Sequence, residues 1–314
     1  MQELFSYDDI YLRPRHSSLS SRSDADVSVE FLGKRWKLPV IPATMEDVID
    51  RKIAEYLSAH DYFYIYHRFG KEDTTHCFVA NANVKNWKLI SVAIGVNNNT
   101  LNQLTGIKKE GYRVDVLTID VAHADHENVR PVISFIKENF PTTKIIAGNV
   151  ATGGGYKYLC DLGVDAVKVG IGGGKICTTK NKTGFHIPTF QSVLGCAAMG
   201  LDIPIIADGG IKHNGDIVKA LVAGAQMAMA GGLFASCIDS PAKIVNGKKI
   251  YRGSTSYESK GKRRHIEGIT LELEEGFTYA ERLQEISEDL SSAISYGGGK
   301  DLSIFNCVEW GRVH

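Results

Sequence analysis

The sequence predicts an α/β protein, a (β/α)8 TIM barrel with a flap after the eighth strand. Three observations carry that expectation. Eight short apolar runs alternate with longer amphipathic stretches, polar or glycine residues follow each run, and Gly-Gly pairs follow the last two. Repeated βα alternation marks a parallel sheet covered on both faces, and eight such units within about 250 residues are what barrel closure requires. An open, doubly wound sheet shares the alternation, and strand counting alone does not separate the two.

The runs expected as strands are 38–41, 62–66, 89–94, 116–119, 144–147, 166–169, 203–207 and 227–230. Helices are expected between or after them, among them 46–60, 127–139, 154–162, 214–223 and 279–292. The residues that end the strands argue for the closed form. They are Thr44, Met45 and Glu46, then His67 and Arg68, Gly95, Asp120, Asn149, Gly170 to Gly172, Asp208 to Gly210, and Gly231 with Gly232. A barrel builds its site at the C-terminal ends of its strands, and it commonly holds a phosphate on backbone N–H groups after the seventh and eighth. Two Gly-Gly pairs at those positions favour a phosphate site over plain turns.

The 314 residues read as a single barrel domain, and their 36 basic and 36 acidic side chains cancel. A chain without net charge has no general attraction for nucleic acid or an anionic membrane, so any bound phosphate must be held locally. The segment 221–238 is uncharged and about the length of a membrane span. Its Ala/Gly character and the interruption at Gly231-Gly232 instead suit a buried strand, a glycine turn and a helix start. Six scattered cysteines show no zinc spacing, no secretory signal precedes them, and a reduced cytoplasmic chain is expected. The polar stretch 251–275, YRGSTSYESKGKRRHIEGITLELEE, reads as a solvated loop or a mobile lid.

The stretch KVGIGGGKICTTKNKTG, 168–184, carries the most chemistry. A glycine run lets backbone groups approach a ligand closely. Cys177 follows it between Lys175 and Lys180, cations that favour the nucleophilic thiolate. A structural cysteine is the bland alternative, but a glycine-rich basic loop is not its usual surroundings.

This loop resembles the signature of the inosine monophosphate dehydrogenase / guanosine monophosphate reductase family, in which a Gly-rich loop ends in Cys-Thr-Thr. SYDDIYLRP, LPVIPATMEDVID, IIAGNVAT, PIIADGGIKHNGDIVKAL, MAMAGGLFA and SSAISYGGGKDL resemble further family segments in the same order along nearly the whole chain. The family fold is a TIM barrel. Its dehydrogenases usually insert CBS modules after the second strand and carry a long flap with an Arg-Tyr pair that activates water. Here 66–68 runs straight on toward the third strand, and the flap holds a short RRHIEG, which is similar to the reductase pattern. The resemblance therefore implies NADPH-dependent reductive deamination of GMP to IMP through a covalent cysteine thioimidate. A CBS-less dehydrogenase oxidising IMP and a catalytically silent nucleotide-binding homologue stand as the rivals.

By that resemblance Cys177 is the nucleophile, and Thr179 with Glu267 handles the proton on departing ammonia. Asp208 accepts the ribose hydroxyls, and Gly209, Gly210, Gly231 and Gly232 offer backbone donors to the phosphate. Arg264 and Ser254 contact the nucleotide from the flap. Asp120 lies near the nicotinamide. Gly172, Gly174 and Cys177 supply carbonyls to a potassium-type cation. The resemblance further implies a homotetramer. Three positions depart from the family pattern: Gly173 for proline, Lys175 for a phosphate-binding serine, and Ser254-Thr255 for Met-Ser or Met-Gly. A lysine at 175 serves the same phosphate as a point charge. His67 and Arg68 face the expected site, where Arg68 suits a cofactor 2′-phosphate or an ion pair with a neighbouring loop. The choice between ribose and deoxyribose is open.

Overall fold

Parallel strands that are apolar on both faces organise the computed structural model, which describes residues 3–69, 74–174, 176–253 and 268–313. Val40–Pro42, Ser91–Ile94, Val116–Asp120, Lys144–Val150, Ala166–Val169, Ile205–Asp208 and Met227–Ala230 form one seven-stranded sheet. They are the first and the third to eighth of the eight expected strand positions. Their order follows the chain, and the first pairs in parallel with the eighth through Ala228↔Val40 and Ala230↔Pro42. That pairing curls the sheet toward closure, as a TIM barrel requires.

The second position departs from expectation. Of 62–66, only Tyr66 joins the sheet, as a parallel bridge to Val92. Its N–H donates to the Ser91 carbonyl at 3.0 Å, and its own carbonyl accepts from Ala93 at 2.7 Å. Phe63, Tyr64 and Ile65 are nevertheless fully buried. The first strand explains the missing ladder. Pro39 and Ala43 spend backbone groups on the eighth strand, which turns Pro42 toward the second segment, and proline has no N–H to offer. Apolar burial, beside the hydrogen bonds of Tyr66 and that of the Tyr64 hydroxyl to the Leu89 carbonyl at 2.6 Å, holds this stave of the barrel.

Helices cover the outside. Val129–Asn139 buries Val129, Val132, Ile133 and Ile136 along one stripe, and Tyr279–Gly297 does the same with Leu283, Ile286, Leu290 and Ile294. The spacing is the 3.6-residue period of a half-buried helix. The first expected helix is shorter than 46–60: it runs Arg51–Ala59, because Asp50 caps it by accepting from the Ile53 N–H at 2.9 Å. Helices Thr75–Val84, Asn98–Lys109, Gly153–Asp161, Thr189–Ala197 and Asn214–Val222 add to the covering. In 221–238 the chain finishes one helix, forms strand Met227–Ala230 and starts a helix at Gly232. Among the described residues no helix is long and apolar enough to cross a membrane.

After the eighth strand, Lys243–Val245, Lys248–Arg252 and Thr270–Leu273 form a small antiparallel sheet over the rim. Its last two strands carry both ends of the expected flap. Arg252 ties this sheet to the barrel through its backbone N–H and its guanidinium, both on the buried Asp47 carboxylate.

Candidate active site

The C-terminal strand ends surround a cavity of about 510 Å³. Cys177, Thr179, Asp208, Gly209, Gly210, Gly231, Gly232, Asp120, Arg68, Gly172 and Gly174 all line it. Residues scattered over most of the chain therefore meet in one space. Glu267, Arg264, Ser254 and Lys175 lie outside the described residues.

The cysteine loop leaves the sixth strand at Gly170, whose φ of +146° is open to glycine. A Cβ at Gly170 would fall 2.0 Å from the Asp208 carbonyl oxygen, so the loop passes directly against the end of the seventh strand. Asn149 locks the same junction: its Nδ2 donates to the Gly170 carbonyl at 2.7 Å and to Asp208 Oδ2 at 2.8 Å. Cys177 then turns back, its N–H donating to the Gly174 carbonyl at 3.1 Å. Its Sγ stands 3.1 Å from Thr179 Oγ1, a hydrogen-bond contact between thiol and hydroxyl.

The small antiparallel sheet holds this loop from above. Cys177 makes an antiparallel bridge with Gly268, and the Ile269 N–H donates to the Ile176 carbonyl at 2.9 Å. Gly253, at the other edge, donates to the Ile269 carbonyl at 3.1 Å. Both flanks of 254–267 are thus anchored beside the thiol.

At the eighth strand, the Tyr251 phenol occupies the space that a side chain at Gly231 would need: a Cβ there would stand 1.9 Å from Tyr251 Oη. The buried hydroxyl also contacts Met45 Sδ at 3.4 Å, and burial, with Asp208 and Asp47 nearby, makes it very hard to ionise. It stays protonated beside the glycine turn. Gly231→Ala would push this phenol away. A displaced hydrogen bond of about 1.4 kcal/mol corresponds to a roughly tenfold rise in KM for a ligand held there. Steady-state kinetics on the variant measure it, and an unchanged KM would contradict the contact.

Lys168 was not anticipated as a site residue. It lies inside the sixth strand, 1% exposed, with Nζ 2.6 Å from Asp120 Oδ1 and 3.2 Å from Asp208 Oδ2. The available signal was a lone lysine in the apolar run AVKV. Asp120 also accepts from Thr44 Oγ1 at 3.0 Å, and Arg68 Nε donates to the Asp120 carbonyl at 3.1 Å. Arg68 is therefore tied to the fourth strand end by its main chain rather than through a carboxylate. Burial would raise the Asp120 acid, but the Lys168 charge and hydrogen bond, Arg68 and Thr44 outweigh it and hold the acid below its ordinary value. For Lys168, burial opposes the charge, and the two aspartates more than restore it.

That balance has a pH signature. A carboxylate depressed in the folded state contributes stability above its unfolded pKa and loses it as pH falls through the lower folded value. Asp120→Asn should therefore melt below wild type near neutrality, with the gap closing as pH falls below the ordinary carboxylate range. A gap that does not depend on pH would contradict the ionised assignment.

Together these features define a (β/α)8-barrel protein in which a loop cysteine, two bridged carboxylates and glycine turns share one rim cavity. The chain belongs to the family described as IMP dehydrogenase / GMP reductase domain, whose profile matches residues 4–308. It is 41% identical over 313 residues to the GMP reductase of Staphylococcus carnosus, covering 98% of this chain and 96% of that one. It is 43% identical to the GMP reductase of Leptothrix cholodnii, covering 98% and 95%. For the GMP reductase of Chromobacterium violaceum the identity is 39%, with 98% of both chains covered.

Proposed function

We propose that this protein is an NADPH-dependent reductase that deaminates GMP to IMP and ammonia. The observation that carries the reading is Cys177, held in a cavity with a hydroxyl partner at 3.1 Å and anchored beside the flap, in a chain similar to GMP reductases along nearly its whole length. One barrel, 1–314, would do this without a CBS insertion, with 251–275 as its flap.

Cys177 thiolate adds to purine C2, forming the C–S bond, and the exocyclic amine leaves as ammonia. Thr179, with Glu267, delivers the proton that lets it go. The thioimidate keeps C2 electrophilic, and bound NADPH supplies the hydride. The C–S bond then breaks, releasing IMP and returning the thiolate. Asp208 accepts the ribose hydroxyls, with Asn149 fixing its orientation. Gly209, Gly210, Gly231 and Gly232 offer backbone N–H groups to the phosphate, helped by Tyr251 and the charge of Lys175. Ser254 and Arg264 close on the nucleotide from the flap.

Two further groups fit the residues present. The nicotinamide carboxamide needs acceptors, and Asp120 and the buried Oδ1 of Asn149, which has no hydrogen-bond partner among the described residues, supply them. Arg68 would serve the rest of the cofactor. For a potassium-type ion, Gly172, Gly174 and Cys177 offer main-chain carbonyl oxygens, hard donors without charge that suit a monovalent cation. A homotetramer in the cytoplasm is part of the same proposal, by family similarity.

The test is NADPH absorbance with purified protein and GMP, with and without potassium, beside IMP plus NAD. Loss of absorbance with stoichiometric ammonia supports the reductase. NADH formation from IMP would instead make it a dehydrogenase, and nucleotide binding without turnover in either direction a silent homologue.

A further inference from the structure

The buried cation of the sixth strand has no part in the chemistry above. Lys168 is 1% exposed, yet its ammonium contacts two carboxylates at once, at 2.6 and 3.2 Å. Asp120 ends the fourth strand and Asp208 the seventh, so the lysine spans the rim between them. The fold makes room for it. Gly148 is its neighbour across the fifth strand, and a Cβ there would fall 2.4 Å from Lys168 Cβ. Thr44 holds Asp120 by Oδ2, the oxygen the ammonium does not contact, whereas Asn149 and the ammonium share Asp208 Oδ2. Arg68, beside Asp120, is the other cation of this cluster, and the Tyr251 phenol faces Asp208. An interior ion triad contributes little net stability compared with apolar packing, so its placement across a cavity floor calls for a reason other than folding.

We propose that Lys168 is a positioning residue: its ammonium bridges the nucleotide-side and cofactor-side carboxylates and balances their charge, so that both ligands can occupy one cavity. The proposal rests on the reductase reading, which gives Asp208 to the ribose and Asp120 to the nicotinamide. Without the ammonium, two like charges face one another in a partly dry space. They swing apart or take up a proton, and Asp208 ceases to be a well-aimed double acceptor.

Calorimetric titration with IMP, without cofactor, tests this on the full chain. Lys168→Met is expected to weaken IMP binding about 30-fold, within the range of ordinary coupling energies. Lys168→Arg keeps the charge and should stay within about fivefold of wild type. The decisive variant is Lys168→Met with Asp120→Asn. Asp120 faces the cofactor side, so removing its charge should restore IMP affinity to within about threefold only if charge balance is what Lys168 supplies. Failure of the double variant to recover, or an arginine variant as weak as the methionine one, would overturn the proposal in favour of a packing role. If Lys168→Met alone does not fold by circular dichroism, the arginine and double variants decide the question. A wild-type protein that binds neither IMP nor GMP would sink the reductase reading and this proposal together. Normal wild-type binding with an unaffected Lys168→Met variant would sink this proposal alone.

Discussion

Replacing Cys177 by alanine is expected to lower kcat for GMP-dependent NADPH oxidation by on the order of 10⁴-fold or more, as when other covalent enzymes lose their nucleophile. The binding surfaces remain: Asp208 and the two Gly-Gly turns do not depend on the sulfur for their positions. Affinity for GMP should accordingly stay within about threefold, because an interaction made only on the way to the transition state is lost from kcat rather than from ground-state binding. Stopped-flow absorbance and calorimetry on the same preparation separate the two quantities. Thr179→Val belongs beside it as a graded comparison, since it removes the hydroxyl 3.1 Å from the sulfur and leaves the thiol in place. An alanine variant within tenfold of wild-type kcat would rule out covalent catalysis at this cysteine.

Gly170→Ala is expected to damage the site from a distance. The added Cβ would stand 2.0 Å from a backbone oxygen of Asp208, and at φ of +146° the residue cannot turn away. Either the cysteine loop or the end of the seventh strand must move. A misplacement of about 1 Å between reacting groups costs about 10²-fold in kcat/KM. The strain itself should cost about 2–4 kcal/mol of stability, a melting shift of roughly 5 °C for a chain of this size. Differential scanning calorimetry and steady-state kinetics measure the pair. A variant with wild-type melting and wild-type kcat/KM would show that the junction relaxes freely.

Much of the barrel was legible because its strands are apolar on both faces, and runs such as 116–119, 166–169 and 227–230 appear where they were expected. The second stave was legible as buried chain but not as a strand. Its pairing depends on Pro42 in a different strand, and a run-by-run reading does not weigh the partner's missing N–H. The helix expected from 46 begins at Arg51 for a local reason. Asp50 is the cap, and Asp47 is already engaged with Arg252, 205 residues away. At the site, Asp208 and the glycine pairs stood out as residue types at strand ends, and Cys177 as a thiol in a glycine-rich basic loop. Lys168 did not, since a lysine in a strand ordinarily points to solvent, and only the closing of the sheet delivers two acids to it. Asn149 was visible as a strand end, but its double donation to Gly170 and Asp208 is a property of three converging strands. The flap residues Ser254, Arg264 and Glu267, and Lys175 in the loop, fall outside the described residues, so their assignment stands on similarity.

The seam joining Ile176 and Cys177 to Gly268 and Ile269 makes the thiol loop and the return strand of the flap sheet a single cooperative unit for amide exchange. The Ile269 and Gly253 N–H groups close one small ladder over the sulfur. Deuterium uptake at these two amides should therefore rise and fall together, and a nucleotide that immobilises the thiol loop should slow both. The backbone beside the sulfur thus offers a label-free readout of when the rim is shut, without touching the cysteine itself.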